Sequence, residues 1–187
     1  MKNNQQIPDI HEVHTIVFDF DGVFTDNRVY LNQEGVESVC CDRRDGLGID
    51  FLRKYQAQGK LKADMFILST ETNPIVQARA EKLKLPCKAG VMGKLSFLEE
   101  YLSKKFPTEK DAFAGLVYLG NDLNDLPVIA RAGFSVVPID AHPVVRSRAS
   151  LVLPQKGGDA FVREFVELFL KINDLSVGEI NDDFFDS

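Results

Sequence analysis

The chain has 187 residues, of which 44% are hydrophobic and 27% charged, a composition typical of one globular domain. Its formal net charge of −6 excludes a general electrostatic attraction to nucleic acid or to an anionic membrane surface. The three cysteines match no zinc-ligand spacing and no apolar run approaches the roughly 20 residues that span a bilayer, so we expect a cytoplasmic protein with reduced thiols.

Short apolar runs alternate along the chain with amphipathic stretches. In chain order, the runs that predict buried strands are residues 15–20, 65–70, 116–120, Phe134–Pro138 and Leu151–Leu153. The stretches that predict helices are residues 46–58, Pro74–Leu83, Lys94–Lys105, 122–132 and 159–172. This alternation predicts an α/β fold, with a Rossmann-like parallel sheet covered by helices on both faces.

One internal segment and the two ends depart from the alternation. Residues 28–43 resemble two strands around the sequence Asn-Gln-Glu-Gly, which predicts a β-hairpin that projects from the sheet. We divide the rest into a polar N-terminal tail (residues 1–12), one domain (residues 13–172) and an acidic C-terminal tail (residues 173–187). Both tails are expected to be mobile. Whether Phe184 and Phe185 anchor the second tail is left open.

The stretch DFDGVFTD, residues 19–26, follows the apolar run of residues 15–18 and begins at the end of the first predicted strand. Ligands of open α/β sheets bind beyond the carboxyl ends of the strands, where Asp19 and Asp21 are expected to lie and to face the same way. Gly22 lets the chain turn away without a Cβ atom in the site. Two close carboxylates need a cation or a shared proton, and Mg²⁺ prefers oxygen ligands. The alternative is a solvated strand end followed by a turn.

Further polar groups follow other strands in an order that completes a known pattern. Ser69 ends the second predicted strand, Lys94 opens a helix, and GNDLND, residues 120–125, follows the third. Together with DFDGVFTD, these segments resemble the four motifs of the haloacid dehalogenase-like (HAD) phosphohydrolases. The resemblance extends from about residue 15 to residue 172.

The resemblance implies a role for each of these residues. Asp19 attacks phosphorus and forms an aspartyl phosphate, Asp21 acts as general acid and then as general base, and Lys94 supplies positive charge. The implied phosphate contacts are Gly22, Ser69, Thr70 and Lys94. The implied Mg²⁺ ligands are Asp19, Asp21 through its backbone carbonyl, and either Asn121 or Asp122, with Asp125 orienting Lys94 or a metal-bound water.

One position departs from the family pattern. Many relatives begin the fourth motif with Gly-Asp-Asp, whereas this chain has Gly120-Asn121-Asp122. An amide oxygen is still a Mg²⁺ ligand, but the site loses one negative charge and should hold the ion more weakly.

Spacing within the chain indicates the branch of the family. Only 48 positions separate Asp21 from Ser69, and 27 separate Lys94 from Asn121, which leaves no room for a sizeable cap domain. Three further stretches resemble the 3-deoxy-D-manno-octulosonate 8-phosphate (KDO 8-phosphate) phosphatases: RDGLG (44–48), GVMGK (90–94) and GGDAFVREF (157–165). That group is tetrameric, so the resemblance implies a homotetramer organised by the hairpin. The alternative is an edge hairpin on a monomer.

The residues after Ser69 bear on the substrate. Octulosonate enzymes tend to carry Thr-Gly-Arg here, whereas this chain has Ser-Thr-Glu and, about three helical turns after Glu71, Lys82. This pattern resembles the branch that dephosphorylates 2-keto-3-deoxynononate 9-phosphate, and it favours a nonulosonate 9-phosphate over KDO 8-phosphate. Arg44 and Arg163 are candidates for the substrate carboxylate. The alternatives are that Glu71 is an ordinary acid at a helix start, that Lys82 is a solvated lysine, and that each arginine forms a surface ion pair.

The chemistry implied by the resemblance is a Mg²⁺-dependent phosphatase that acts on a phosphorylated sugar acid in nonulosonic acid biosynthesis. Similar domains are fused to acylneuraminate cytidylyltransferases, so a second hypothesis is an inactive module that tetramerises and regulates sugar activation. Asn121 is the one feature in its favour, whereas Asp19, Asp21, Ser69 and Lys94 together argue against it. A third hypothesis is a phosphatase with broad tolerance for small phosphate esters.

Overall fold

The computed structural model describes residues 6–185; the outer ends of both predicted tails, residues 1–5 and 186–187, lie outside the described residues. Within the described part, the strands are β1 (Thr15–Phe18), β2 (Tyr30–Leu31), β3 (Glu37–Ser38), β4 (Asp64–Leu68), β5 (Cys87–Lys88), β6 (Leu116–Leu119), β7 (Phe134–Pro138) and β8 (Leu151–Leu153). The α-helices are α1 (Arg43–Ala57), α2 (Pro74–Leu83), α3 (Lys94–Lys105), α4 (Leu126–Arg131), α5 (Pro143–Arg146), α6 (Phe161–Phe169) and α7 (Val177–Phe184). Short 3-10 helices span Ile10–Glu12, Ala112–Gly115 and Ile172–Asp174.

Six of these strands form one parallel sheet in the order β5-β4-β1-β6-β7-β8. The central strand β1 pairs with β4 on one side and with β6 on the other, so that Phe18 lies opposite both Ile67 and Leu119. The chain fills the β4 side first and then crosses to the β6 side, which makes β1 a topological switch point. In open α/β sheets, ligands bind in the crevice at such a point, beyond the carboxyl ends of the strands.

The sheet is buried on both faces, which explains the continuous apolar runs of its central strands. Successive side chains of β1 point to opposite faces. Phe18 packs in the same core as Leu52 of α1 and Phe165 of α6. Val17 packs in a second core with Leu98 of α3. The predicted architecture is therefore confirmed, with helices on both faces of a parallel sheet.

The predicted ends of α2 and α3 are confirmed, whereas other helices begin elsewhere. Helix α2 begins at Pro74 because the side chain of Asn73 accepts a hydrogen bond from the backbone N–H of Ile75. Helix α1 begins three residues before the prediction, because Asp42 caps it in the same way. Helix α4 begins four residues late, since residues 122–125 form a turn. The two-residue strand β5 was too short to predict.

The predicted hairpin is present and projects from the sheet. Strands β2 and β3 pair antiparallel, and the carboxamide of Asn32 accepts the backbone N–H groups of Glu34 and Val36 inside the turn. Gly35 has φ +77°, a conformation that favours glycine. Among residues 6–185, only this hairpin and helix α1 separate β1 from β4, so no cap domain occupies that interval.

The C-terminal segment is ordered rather than mobile up to residue 185. Helix α7 begins at a capping box formed by Ser176 and Glu179. Phe184 is 1% exposed, and its ring packs against Phe51 and Tyr55 of α1. The acidic composition of this segment predicted a solvated tail, but the buried ring of Phe184 packs it against α1. None of the described helices combines the length and the apolar character needed to cross a bilayer.

Phe184→Ala is expected to lower the free energy of unfolding by about 3–5 kcal/mol, because it removes a fully buried ring from the α1–α7 contact. Phe185 is the matched control, since its side chain is 56% exposed. Phe185→Ala should cost less than about 1 kcal/mol. Urea denaturation of the two variants measures the difference. Equal losses would show that α7 does not hold the contact seen here.

Candidate active site

The carboxyl ends of β1, β4 and β6 surround a polar cavity of about 340 Å³. Each of these strands contributes residues that follow its last sheet position. The lining residues are Asp19, Asp21, Asn27, Thr70, Asn121, Asp122, Leu123 and Asn124. The predicted first and fourth motifs therefore meet at one edge of the sheet.

The loop that follows β1 holds Asp19 in a fixed position. The backbone N–H of Asp19 donates to Leu119 at 2.8 Å, which continues the ladder between β1 and β6 by one residue. Its carboxylate oxygen Oδ1 accepts the backbone N–H of Phe20 at 2.7 Å. Gly22 has φ +75°, and a Cβ atom there would lie 1.9 Å from Nδ2 of Asn121. Only glycine therefore lets the two motifs approach this closely.

Lys94 lies between two carboxylates in the interior of the site. Its ammonium Nζ is 2.7 Å from Oδ1 of Asp19 and 2.7 Å from Oδ1 of Asp125. Burial by itself lowers the pKa of Lys94, but the two carboxylates more than offset this and raise its pKa above the ordinary value. Lys94 therefore stays protonated, and the group of three carries one net negative charge when both carboxylates are ionised.

Asp125 is fully buried and accepts four hydrogen bonds. Its Oδ1 accepts from Lys94 and, at 2.6 Å, from the hydroxyl of Tyr118. Its Oδ2 accepts the backbone N–H groups of Asn121 at 2.8 Å and Asp122 at 3.2 Å. Asp125 thus joins the Lys94 ammonium to the backbone of the loop that lines the cavity.

The two acids of the first motif have different environments. Burial raises the pKa of Asp19 well above its ordinary value, the Asp125 carboxylate raises it further, and Lys94 acts in the opposite direction. Burial also raises the pKa of Asp21, and the charge of Glu71 adds to the effect. A raised pKa suits a general acid, which has to be protonated when the leaving group departs. Positive charge near Asp19, such as that of Lys94, favours its ionised form.

The donor set at the cavity fits a hard divalent cation, for which oxygen ligands are preferred. Both side-chain contacts of Asp19 fall on Oδ1, which leaves Oδ2 for a further ligand. Asn121 and Asp122 add an amide and a carboxylate oxygen to the same cavity. The described residues contain no cluster of three or more His, Cys, Asp or Glu side chains with metal-binding geometry.

The second predicted motif contributes differently from its prediction. Ser69 is 1% exposed, its hydroxyl oxygen accepts the backbone N–H of Glu71, and its own N–H donates to Lys88. Thr70 lines the cavity. Within the described residues, the backbone N–H groups of Thr70 and Asp21 have no acceptor, so both are available to a phosphate group.

The predicted substrate-carboxylate residues do not reach the cavity of their own subunit. Arg44 is paired with Asp42 and with Asp159 at 2.6 Å, which joins α1 to the start of α6. Arg163 is paired with Glu167 and lies over the ring of Phe51. Each guanidinium has a partner elsewhere in the domain, and contact of either arginine with the substrate carboxylate stays a prediction.

Glu71 and Lys82 do not lie on the same helix. Glu71 precedes α2, and its carboxylate accepts the backbone N–H groups of Thr72 and Asn73. Lys82 lies near the other end of α2, beside a separate cavity of about 460 Å³. Other basic residues beside it are Arg43, Arg53, Arg79 and Lys84. Glu71 remains close enough to raise the pKa of Asp21, but Lys82 does not approach the site.

Sequence reasoning missed several residues of the site. Asn27, Leu123 and Asn124 line the cavity although no role was assigned to them. Asn27 has φ +61°, a conformation that asparagine tolerates better than most residues. Tyr118 was also missed. Its signal in the sequence is a hydroxyl-bearing residue inside an otherwise apolar strand, two positions before Gly120.

Comparisons with known proteins agree with this geometry. No family model matches the chain. Over 169 residues, it is 32% identical to the KDO 8-phosphate phosphatase KdsC of Yersinia pestis, a match that covers 87% of this chain and 82% of the relative.

Solved structures give the same result. A Streptomyces avermitilis protein classed as a HAD family hydrolase aligns with a TM-score of 0.78 and 39% identity, covering 88% of this chain and 95% of that one. The KDO 8-phosphate phosphatase of Moraxella catarrhalis, solved with magnesium, phosphate and KDO, aligns with a TM-score of 0.75 and 28% identity, covering 87% and 88%.

Proposed function

The chain belongs to the KdsC-type phosphatases of the HAD superfamily and is a phosphoric monoester hydrolase, and from this membership we propose that it dephosphorylates a phosphorylated 2-keto-3-deoxy sugar acid. The observation that carries the proposal is the convergence of Asp19, Lys94 and the loop 121–125 at one cavity edge. An oxygen nucleophile, a fixed ammonium and oxygen donors for a cation are the components that phosphoryl transfer requires.

Asp19 attacks phosphorus through its carboxylate, and the bond from phosphorus to the sugar oxygen breaks. Asp21 gives its proton to the departing sugar oxygen. A water molecule then attacks the aspartyl phosphate while Asp21 takes back a proton, and inorganic phosphate leaves. The Lys94 ammonium and the free N–H groups of Asp21 and Thr70 stabilise the charge on the phosphate oxygens.

Asp19, Asp122 or Asn121, and the backbone carbonyl of Asp21 are the residues that would hold Mg²⁺ in this site. When bound, the ion supplies positive charge that keeps the Asp19 carboxylate ionised and offsets charge on the transferred phosphoryl group. Burial raises the pKa of Asp19, and a bound cation would act against that rise. The neutral Asn121 amide is expected to make Mg²⁺ binding weaker than in relatives with a second aspartate.

Two phosphorylated sugar acids are candidates for the substrate. Glu71 stands where octulosonate enzymes tend to carry arginine, and its charge acts on the general acid Asp21, which favours a nonulosonate 9-phosphate. The 32% identity to the Yersinia pestis enzyme favours KDO 8-phosphate as the second candidate. The substrate carboxylate requires a cation that the cavity lining of one subunit lacks. An inactive regulatory module is not favoured, because the catalytic residues are all retained.

A neighbouring subunit is the proposed source of that cation. Val29, Tyr30, Leu31 and Val36 of the hairpin are all at least 58% exposed, an apolar surface suited to burial between subunits. We therefore retain the homotetramer organised by residues 28–43. Lys82 has no ion-pair partner among the described residues and is a candidate for contact with a neighbour's substrate, and Arg44 and Arg163 stay candidates for the same role. Sedimentation analysis tests the assembly, and a monomer would contradict it. The cytoplasmic location likewise stays a proposal.

Phosphate release from a panel of substrates tests the function. The panel compares nonulosonate 9-phosphates, KDO 8-phosphate and simple phosphate esters, each with and without Mg²⁺. We expect Mg²⁺-dependent turnover with kcat/KM for a sugar acid phosphate at least about tenfold above that for simple esters. Equal rates on unrelated esters would support a broad phosphatase instead. No turnover on any ester would support the regulatory module.

Glu71→Gln is expected to move the alkaline limb of the pH profile of kcat/KM to lower pH. The negative charge of Glu71 raises the pKa of Asp21, so its removal lowers that pKa. Asp21 then loses its proton at lower pH, and general-acid catalysis declines earlier as the pH rises. Glu81→Gln on α2 is the matched control and should leave the profile unchanged. A shift to higher pH would contradict the role of Asp21 as the acid.

A further inference from the structure

We infer that Tyr118 is a positioning residue for catalysis: its hydroxyl fixes the Asp125 carboxylate and, through it, both Lys94 and the loop that lines the cavity. The inference rests on the hydrolase function proposed for this site. It assigns no contact between Tyr118 and substrate.

The hydroxyl of Tyr118 is unusual for its location. Tyr118 lies in β6 at the centre of the sheet, is fully buried, and belongs to the apolar core that also contains Phe66 and Leu98. Phenylalanine would fill the same space. Yet the hydroxyl donates to Oδ1 of Asp125 at 2.6 Å, a short hydrogen bond to a charged acceptor in a buried setting.

The carboxylate of Asp125 divides its two oxygens between two parts of the site. Oδ2 accepts the backbone N–H groups of Asn121 and Asp122, which fixes the loop. Oδ1 accepts from Lys94 and Tyr118. Lys94 is a long, flexible side chain that Asp19 also attracts, so it cannot orient Asp125 alone. Tyr118 is attached to the rigid central strand, and it is the donor whose position does not depend on Asp19.

The Tyr118 ring and the Asp125 carboxylate lie close together beside Gly120. A Cβ atom at position 120 would lie 2.6 Å from Oδ2 of Asp125 and 2.8 Å from Cε1 of Tyr118. The tyrosine ring and the carboxylate therefore both press against the glycine backbone that leads from β6 into the loop. This close packing means that the direction of the hydroxyl determines the direction of the carboxylate.

Loss of the hydroxyl has two expected consequences. Oδ1 of Asp125 then has Lys94 as its only donor, which draws the ammonium away from Asp19 and from the transferred phosphoryl group. The orientation of Oδ2 also becomes less fixed, so the N–H groups of Asn121 and Asp122 open more often. The first effect acts on kcat rather than KM, because Tyr118 does not line the cavity.

Tyr118→Phe and Tyr101→Phe form a matched pair. Tyr101 also donates its hydroxyl to a carboxylate, Oδ2 of Asp64 at 2.7 Å, but it lies outside the catalytic cavity. We expect Tyr118→Phe to lower kcat about tenfold or more with KM changed less than about twofold, and Tyr101→Phe to leave both constants unchanged. Tyr118→p-aminophenylalanine, which restores an N–H donor on the same ring, should recover most of kcat.

Amide hydrogen exchange in the metal-free, substrate-free protein supplies a readout that does not depend on activity. In Tyr118→Phe, the amides of Asn121 and Asp122 are expected to exchange about tenfold faster or more, with no change in Tyr101→Phe. Unchanged exchange at these two amides would overturn the inference even if the enzyme proved inactive on every substrate. Equal kcat values for the two phenylalanine variants would overturn it in an active enzyme. If Tyr118→Phe does not fold, the test is made on the p-aminophenylalanine variant. Faster exchange of the Asn121 and Asp122 amides in that variant, despite the restored donor, would overturn the inference.

Discussion

Asp19→Asn is expected to lower kcat by about 10³-fold or more, because a neutral amide cannot act as the nucleophile that accepts the phosphoryl group. Phosphate release under saturating Mg²⁺ measures the loss. Asp26→Asn is the matched control, since Asp26 is the third carboxylate of the same stretch and does not line the cavity. Among the residues that the structure describes, its side chain accepts only the backbone N–H of Arg28. The control should retain more than about half of the wild-type rate.

Asp19→Asn is expected to be at least as stable as the wild type. Asp19, Lys94 and Asp125 carry one net negative charge in a buried environment, and burial raises the pKa of Asp19. Removal of the Asp19 charge leaves Lys94 and Asp125 as a neutral pair. Active sites often store such unfavourable interactions, so loss of function accompanies a gain in stability. A fall in Tm, or hydrolysis at the wild-type rate, would contradict the assignment of Asp19.

Lys94→Met is expected to have the opposite effect on stability and to abolish activity as well. Methionine nearly preserves the length of the side chain but leaves Asp19 and Asp125 without the ammonium that contacts both at 2.7 Å. Breaking a buried ion pair by removal of one partner costs about 3–5 kcal/mol. We expect a loss of that order in urea denaturation at neutral pH, and a loss of kcat of about 10²-fold or more.

A control on the same helix separates the loss of a buried charge from the general effect of replacing a lysine of α3 by methionine. Lys104 of α3 pairs with Glu100 at the surface, where its side chain is 73% exposed. Lys104→Met should change the free energy of unfolding by less than about 1 kcal/mol, because exposed ion pairs contribute little. If Lys94→Met were no more destabilising than this control, the buried triad would not be charged in the folded protein.

Taken together, the two variants test one electrostatic arrangement from both sides. Asp19→Asn removes the excess negative charge, whereas Lys94→Met increases it. The expected changes in stability therefore differ in sign although both variants lose activity. If the charge balance did not matter, both substitutions would still lower activity by disturbing the catalytic geometry. The two changes in stability would then have the same sign.

The sequence by itself determined where the catalytic residues of the strand ends would meet. Apolar runs long enough to be buried predicted the strands, and the carboxyl ends of parallel strands share one edge of a sheet. Asp19 and Thr70 lie at the ends of two such runs and Asn121 follows a third, and the structure brings all three to one cavity. Local signals also gave both ends of α2 and α3, because caps and periodicity depend on neighbours in the sequence.

Only the tertiary structure decided which long polar side chains reach that edge. Arg44 is held by Asp159, which lies 115 positions away in the sequence, and Lys82 lies beside a different cavity from the one that Asp19 lines. The role of Tyr118 likewise depends on a carboxylate beyond the end of its strand. Sequence spacing assigns a residue to a helix or strand. Where a flexible or buried polar side chain points depends on its hydrogen-bond or ion-pair partner, and here that partner comes from a distant part of the chain.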